Sequence, residues 1–299
     1  MSPMCFRAPL VRGARQSLGP VGHCIYCFKR SPSVVLSDEH IIPDGLAGDL
    51  VLRLSSCDEC ASKTCSIETH FLREVLQFAR AVVGVQSRKR KSARRTIRVT
   101  LNDGPEPSDR ELPIDGQAPF ILPFITTDAL PGILRGGFPT EEPRLRLSLF
   151  GAKDWNLTGQ QWLGANGTFR WAHRLHAGIV GQALAKIAHA YACAKLGADT
   201  FTPFLTEYIR AKEPPFDGYH LGSYSSHDQM DCLHYLDIQL TRARRWAGAG
   251  YVEETLYVVY LRLFAHQPSP SFLIVVGRPK GQVPQGMLEA DFTFGSAPP

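Results

Sequence analysis

Two Cys-x-x-Cys pairs bracket a short acidic segment that ends in an imidazole. The pairs are Cys24/Cys27 and Cys57/Cys60, and the segment between them contains Asp38-Glu39-His40-Ile41-Ile42-Pro43. Each Cys-x-x-Cys makes a tight turn that presents two sulfurs to one side, so two such turns can close a tetrahedral zinc site. The residues between the pairs are too few for a core of their own, so bound metal must supply much of their folding free energy. The four cysteines therefore predict a structural zinc ion.

The Asp-Glu-His run between the pairs predicts a different kind of chemistry. Carboxylate oxygens are hard donors that suit magnesium or manganese, and an imidazole beside them can take a proton from water. Adjacent residues on a regular strand point to opposite faces, so Glu39 and His40 can share one site only where the strand ends or bulges. Pro43 followed by Asp44-Gly45 favours such an ending. One metal would hold the scaffold, and a second would take part in catalysis.

Four motifs occur in an order and at spacings that together are specific: CIYC, SDEHIIP, GDLVL and SCDEC, followed by a long helical pattern. They resemble the HNH endonucleases of the ββα-metal type, in the subgroup whose finger is held by four cysteines. The resemblance covers about residues 21 to 80. It implies a metal-dependent DNA endonuclease in which His40 activates the attacking water. It also implies that Glu39 helps to hold a divalent magnesium or manganese ion, and that Asp49 belongs to the same catalytic site.

Two positions depart from the family pattern. Many relatives carry Asn in place of Asp49, and many carry Asn or His directly after the last cysteine, where this chain has Ala61. An alanine side chain cannot bind a metal, so the working ion needs another ligand. Asp38 is one candidate, and Glu68, two helical turns beyond Ala61 on the same face, is the other. The intact Glu39-His40 pair favours an enzyme. Ala61 favours the alternative, which is a catalytically inactive, zinc-scaffolded protein with a nucleic-acid-binding or regulatory role.

The distribution of charge points to DNA as the partner. The net charge is +5, and the first hundred residues hold sixteen Lys or Arg against eight Asp or Glu. The densest basic run is Arg88, Lys89, Arg90, Lys91, Arg94, Arg95 and Arg98. Such a run can neutralise several phosphates and gives affinity without sequence information. We interpret it as a DNA-binding segment beside the finger, and the alternative is a solvated linker or a localisation signal.

Composition predicts a cytoplasmic protein that is not bound to a membrane. The chain has 299 residues, of which 44% are hydrophobic, and no apolar segment long enough to cross a bilayer. Arg7, Arg12 and Arg15 lie in a start that lacks a continuous apolar stretch, so no secretory signal is expected. The four cysteines outside the two pairs are then expected to be free thiols in a reducing compartment.

The fold class predicted is α+β, with a small zinc-stabilised ββα finger joined to a larger domain that has a mainly antiparallel sheet. We expect four parts: a flexible basic tail at 1–20, the finger at 21–84, a basic strand and linker at 85–117, and an α+β domain at 118–299. The last part is expected to bind DNA, to sense a signal or to pair subunits into a homo-oligomer. Strands are predicted at Ser33–Leu36, Val51–Leu54, Thr96–Leu101, Phe120–Ile125, Arg144–Phe150, Cys232–Leu240, Leu256–Phe264 and Phe272–Val276. Helices are predicted from Ile67 to Val83, from His173 to about Leu196 and from about Phe204 to Ala211.

Other histidines receive a structural interpretation. His173 and His176 are one turn apart, and His227-Asp228 with His234 could form a second acid-base pair. Neither set has a third partner at ligand spacing, so hydrogen-bonding or surface roles are favoured over a metal or catalytic site.

Overall fold

The computed structural model describes residues 6–8, 13–85, 96–101, 105–114, 118–151, 175–225, 228–246 and 250–281. These residues form helices and mainly antiparallel sheets, which confirms the predicted α+β class. The described strands are β1 (Phe6–Ala8), β2 (Gln16–Leu18), β3 (Leu36–His40), β4 (Leu50–Cys57), β5 (Thr96–Leu101), β6 (Ser108–Pro113), β7 (Ile121–Thr126), β8 (Arg146–Gly151), β9 (Phe201–Pro203), β10 (Leu221–Tyr224), β11 (His234–Trp246), β12 (Tyr251–Leu263) and β13 (Ser271–Pro279). The described helices are α1 (Asp58–His70), α2 (Gln77–Val82), α3 (Ala177–Leu196) and α4 (Thr206–Arg210).

The largest sheet lies in the C-terminal part of the chain. Its strand order is β1-β11-β12-β13-β10, and the short strand β9 also pairs with β13. All these pairings are antiparallel. The run Phe272–Val276 in β13 is apolar and buried, a pattern typical of a strand that is covered on both faces. The strands predicted for this region are confirmed, although β11 and β12 form a longer hairpin than their apolar runs indicate.

Helix α3 is the element on which the sheet and the finger both pack. Every residue from Val180 to Cys193 is buried, so this helix lies in the core and is covered on all sides. The helix contacts β12 and β13 of the sheet and α1 of the finger. Its alanine-rich sequence lets these elements approach closely, and it ends before Gly197, whose φ of 92° favours glycine. The predicted helix is confirmed over Ala177–Leu196. None of the described helices is long and apolar enough to span a membrane.

The finger is a three-stranded sheet followed by a helical segment. The strand order is β2-β4-β3, with β2 parallel and β3 antiparallel to β4, and α1 follows β4 without a loop. The predicted strand Val51–Leu54 lies within β4, but the strand predicted at Ser33–Leu36 is wrong and the chain pairs at Leu36–His40 instead. The apolar run that suggested the earlier strand includes Val35, which is 73% exposed and lies before the paired region.

The helix predicted after the second cysteine pair is interrupted. A π-helical turn at Phe71–Val75 follows α1, and α2 begins only after Leu76, whose backbone leaves the helical region. Phe71, Val75 and Leu76 are buried. Apolar spacing predicts the buried face of this segment, but it cannot distinguish a straight helix from one with a wider turn.

Residues from the first twenty take part in the large sheet and in the sheet of the finger. β1 pairs with β11 in the large sheet, and β2 pairs with β4 in the finger, so the predicted flexible tail does not hold for these two segments. The predicted strand Thr96–Leu101 is confirmed and forms a hairpin with β6 inside the segment expected to be a linker. A single hydrophobic core contains buried residues of the finger, α3 and the large sheet.

Two buried histidines fasten the finger to the rest of the protein. The Nε2 atom of His234 on β11 donates to the Leu46 carbonyl at 2.8 Å, while its Nδ1 atom accepts from the Phe264 amide at 3.2 Å. His189 on α3 contacts the Ile25 carbonyl through Nε2 at 2.8 Å. Burial lowers the pKa of both imidazoles from 6.5 to about 4. These contacts confirm the structural interpretation of His234.

We expect acid to weaken this attachment. The folded state keeps His234 neutral, whereas the unfolded chain takes up a proton below about pH 6.5, so the contribution is complete above that pH and is lost as the pH falls towards 4. For His234 alone the loss between pH 7 and pH 5 should be about 2 kcal/mol in the free energy of unfolding. Urea unfolding at both pH values measures it.

His234→Gln is the test variant, because an amide can still donate but cannot gain a proton in this range. It should lose less stability than the wild type on going from pH 7 to pH 5. The control is His176→Gln, which alters an exposed histidine. Equal pH dependence in wild type and His234→Gln would contradict the assignment.

Candidate active site and metal centre

The four cysteines of the two pairs converge at one end of the finger. Their sulfur atoms all lie within 4.8 Å of one another, and the Cys27 and Cys57 sulfurs are 3.6 Å apart. Zinc–sulfur bonds of about 2.3 Å in a tetrahedron place sulfurs roughly 3.8 Å apart, so the arrangement is compatible with a structural zinc ion. Cys24, Cys57 and Cys60 are buried, and Cys27 is partly exposed.

Local backbone geometry explains why these sulfurs meet. The first pair lies in a turn closed by the Phe28 amide on the Cys24 carbonyl at 2.8 Å, and Phe28 itself has a φ of 62°. The second pair spans the junction of β4 and α1, since Cys57 ends the strand and precedes the first helical residue. A hydrogen bond from the Cys60 thiol lowers the pKa of Cys24, and the same contact, together with burial, raises the pKa of Cys60.

The strand that carries Glu39 and His40 is irregular just before them. Ser37 pairs with Ser56 and Glu39 with Leu52, so Asp38 alone faces three residues of β4. The Asp38 carboxylate accepts the Leu54 amide at 3.0 Å and is exposed. Asp38 therefore stabilises the irregular pairing, and the strand then ends at His40.

Glu39 points into the protein, where it meets a lysine that sequence reasoning missed. Lys186 on α3 is fully buried, and its Nζ atom lies 2.7 Å from Oε1 of Glu39 and 2.6 Å from Oε1 of Glu68. The same ammonium group donates to the His40 carbonyl. We call Glu39, Glu68 and Lys186 the buried trio. The only signal for it in the sequence is a lysine inside the apolar run of α3.

Electrostatics keep the lysine of the trio charged. Burial acts to lower the pKa of Lys186, but the carboxylates of Glu39 and Glu68 outweigh burial and raise it. Burial raises the pKa of Glu39, and the positive charge of Lys186 opposes that rise. Burial, and then the negative charges of Glu39 and Glu68, raise the pKa of Tyr26. The site is thus a desolvated cluster with a fixed ammonium group between two carboxyl groups.

The other predicted site residues lie around the strand end. His40 is half-buried, and Ala61 is half-buried on α1, where its carbonyl accepts the Thr64 hydroxyl at 3.2 Å. Asp49 is buried, and its Oδ1 atom has no hydrogen-bond partner among the described residues. Gly48 before it cannot be replaced without a clash, since an added Cβ would lie 1.9 Å from the Ile42 carbonyl oxygen. Of the two candidates for the missing ligand, Glu68 converges with Glu39 and Asp38 does not.

The predicted DNA-binding run falls outside this site. Arg88, Lys89, Arg90, Lys91, Arg94 and Arg95 lie outside the described residues, and Arg98 is an exposed residue of β5. Among the residues that the structure describes, Cys65, Cys193 and Cys232 form no disulfide bond.

Comparison with known families agrees with this geometry. Residues 24–76 match the model of a family described as HNH endonuclease. This segment is an HNH finger. No curated protein and no solved structure matches the chain. The matched segment contains both cysteine pairs, β3, β4, α1 and the π-helical turn. It contains Glu39, His40, Asp49 and Glu68, but Lys186 reaches the HNH finger from α3, outside the match.

Proposed function

We propose that this chain is a DNA endonuclease whose HNH finger hydrolyses phosphodiester bonds. The observation that supports it is the placement of His40, which is half-exposed at the end of β3. This histidine lies within an HNH segment whose four sulfurs converge as a zinc site requires. An imidazole at that position can take a proton from a water molecule as the water attacks phosphorus. Asp49 is the proposed orienting residue, because its carboxylate is buried and it directly precedes β4, whose Leu50 carbonyl accepts the amide of Ile41 next to His40.

The resemblance implies a divalent working metal held by carboxylate groups of the finger. Glu39 and Glu68 supply oxygen donors of the type that magnesium and manganese prefer, and both reach one point. That point is held by the ammonium group of Lys186, so the residues do not fit a divalent ion as they stand. Dependence of cleavage on magnesium or manganese stays a prediction.

Cleavage of supercoiled plasmid and of branched DNA tests the proposal. Zinc-loaded full-length protein should convert supercoiled plasmid to nicked or linear forms when magnesium or manganese is present. The matched control is the same protein with chelator added to remove the divalent ions. Intact plasmid and intact branched DNA under all metal conditions, with a folded protein, would contradict an endonuclease.

A second function is favoured by the buried trio. Because Lys186 occupies both carboxyl groups, the chain could serve as a zinc-scaffolded nucleic-acid-binding protein without catalysis. A gel-shift assay on the same DNA separates the two. Binding without cleavage supports the second function, and binding with cleavage supports the first.

The basic run tests how DNA is held. Neutralising Arg88, Lys89, Arg90 and Lys91 together should weaken DNA affinity equally across sequences, because phosphate contacts carry no sequence information. The slope of log affinity against log salt should flatten by about 3.6 for four lost contacts with duplex DNA. Fluorescence anisotropy over a salt series measures it.

The control for this variant changes exposed basic residues elsewhere. Arg210→Gln with Lys212→Gln removes two such charges from the region around α4. This double variant should keep the wild-type salt slope. A wild-type slope in the quadruple variant would show that the run does not bind DNA.

A further inference from the structure

The buried trio joins two parts of the chain that are far apart in sequence. Glu39 and Glu68 belong to the HNH finger, whereas Lys186 lies on α3, and 146 residues separate it from His40. Lys186 has no exposed side-chain area, Glu39 has 7% and Glu68 has 20%. A lysine in such a place is costly unless it is paired, and here the pairing partners are the carboxyl groups that an HNH finger would offer to a metal.

The donors of the lysine are fully used. An ammonium group has three hydrogens to donate, and Glu39, Glu68 and the His40 carbonyl are three acceptors. No hydrogen remains for a phosphate oxygen, so Lys186 does not act on the substrate in this arrangement. It fixes both carboxyl groups and the backbone of the residue that we propose as the base.

A divalent ion and the ammonium group cannot share these oxygens. Magnesium binds oxygen at about 2.0–2.1 Å, so an ion bound to both carboxylates would lie close to the present position of Nζ. Two positive charges at such a separation in a desolvated site repel each other strongly. Binding of the ion therefore requires that Lys186 move away or lose its charge.

We propose that Lys186 is a built-in cation that competes with the divalent metal for Glu39 and Glu68. Binding of the working metal to the HNH finger then requires displacement of the lysine from the two carboxyl groups, so the finger needs a higher metal concentration than it would need without Lys186. The metal-binding part of this inference is independent of the proposed endonuclease function, and the consequence for cleavage rests on it.

Manganese binding to the zinc-loaded full-length chain tests the competition. Free manganese is followed by its electron paramagnetic resonance signal. Lys186→Met removes the charge and nearly keeps the volume, so this variant should bind one manganese ion per chain at least tenfold more tightly than wild type. Adding Glu39→Gln or Glu68→Gln to it should abolish the gain. Lys195→Met, near the end of the same helix and partly exposed, is the control and should behave as wild type.

Melting temperature gives a second readout, because a ligand that binds only the folded state raises it. At the same manganese concentration, the melting temperature of Lys186→Met should rise more than that of wild type. If Lys186→Met does not fold, Lys186→Gln replaces it, since the amide can still donate to one carboxyl group. A merely structural ion pair predicts a loss of stability in these variants without any gain in manganese binding.

Two outcomes would overturn the inference. One is a wild-type chain that binds manganese as tightly as the folded Lys186 variants. The other is a folded Lys186 variant whose manganese binding does not depend on Glu39 and Glu68. A different result would contradict the proposed function. If Lys186→Met gains manganese binding but cuts no DNA, the competition is supported and the endonuclease function is contradicted. Cleavage at the wild-type rate by a variant with Glu39→Gln and Glu68→Gln keeps the endonuclease and overturns the consequence of the competition for cleavage.

Discussion

Cys57→Ser should unfold the HNH finger and leave the protein with well under one zinc ion per chain. Structural zinc sites contribute on the order of 10 kcal/mol or more to folding in small domains. The loss should extend beyond the finger, because its buried residues belong to the same core as α3 and the large sheet. Elemental analysis, circular dichroism and limited proteolysis measure these effects.

Cys65→Ser is the matched control for this change. Cys65 lies on α1 with Cys60, but it is exposed and is not part of the sulfur cluster. The variant should keep one zinc ion per chain and the wild-type resistance to protease. A Cys57→Ser protein that retains both a full zinc complement and a folded finger would show that the cluster is not a four-thiolate site.

His40→Ala should remove DNA cleavage while the protein stays folded. Loss of a general base typically lowers a rate by about a hundred- to ten-thousand-fold. The change should leave the buried trio in place, because Lys186 donates to the backbone carbonyl of His40, which alanine keeps. Initial rates of plasmid nicking measure the effect, and an unchanged melting temperature shows that folding is retained.

The control for His40→Ala is His70→Ala. His70 ends α1, is exposed, and its Nδ1 atom contacts the Ser66 carbonyl within the helix. Nicking by His70→Ala should match wild type. Nicking by His40→Ala at the wild-type rate would rule out His40 as the base and would move the search to another group.

Features that depend on local sequence were predictable. The four sulfurs converge as the Cys-x-x-Cys spacing predicts, although only the first pair lies in a turn and the second spans the junction of β4 and α1. Helix α3 and the strands β11, β12 and β13 follow from long apolar runs. The position of β3 was wrong by several residues, because its apolar character is weak and pairing with β4 determines where it begins.

The buried trio could not be predicted because it depends on distant residues. The sequence indicates that Glu68 lies on the face of α1 that carries Ala61, but nothing local brings Lys186 to the same point. That contact is made by the packing of α3 on α1. The short strands β1 and β2 were missed for the same reason, since each pairs with a strand far along the chain.

The distance between His40 and Lys186 along the chain has a consequence for synthesis. Translation proceeds from the N terminus, so the cysteines of the finger leave the ribosome long before α3 does. All four cysteines lie between residues 24 and 60. Their sulfurs can therefore capture zinc while the acidic side chains of the nascent finger are still in water. The lysine arrives 146 residues after His40. The zinc site can therefore assemble before the carboxylate site closes, because closure requires that the central helix has been synthesised.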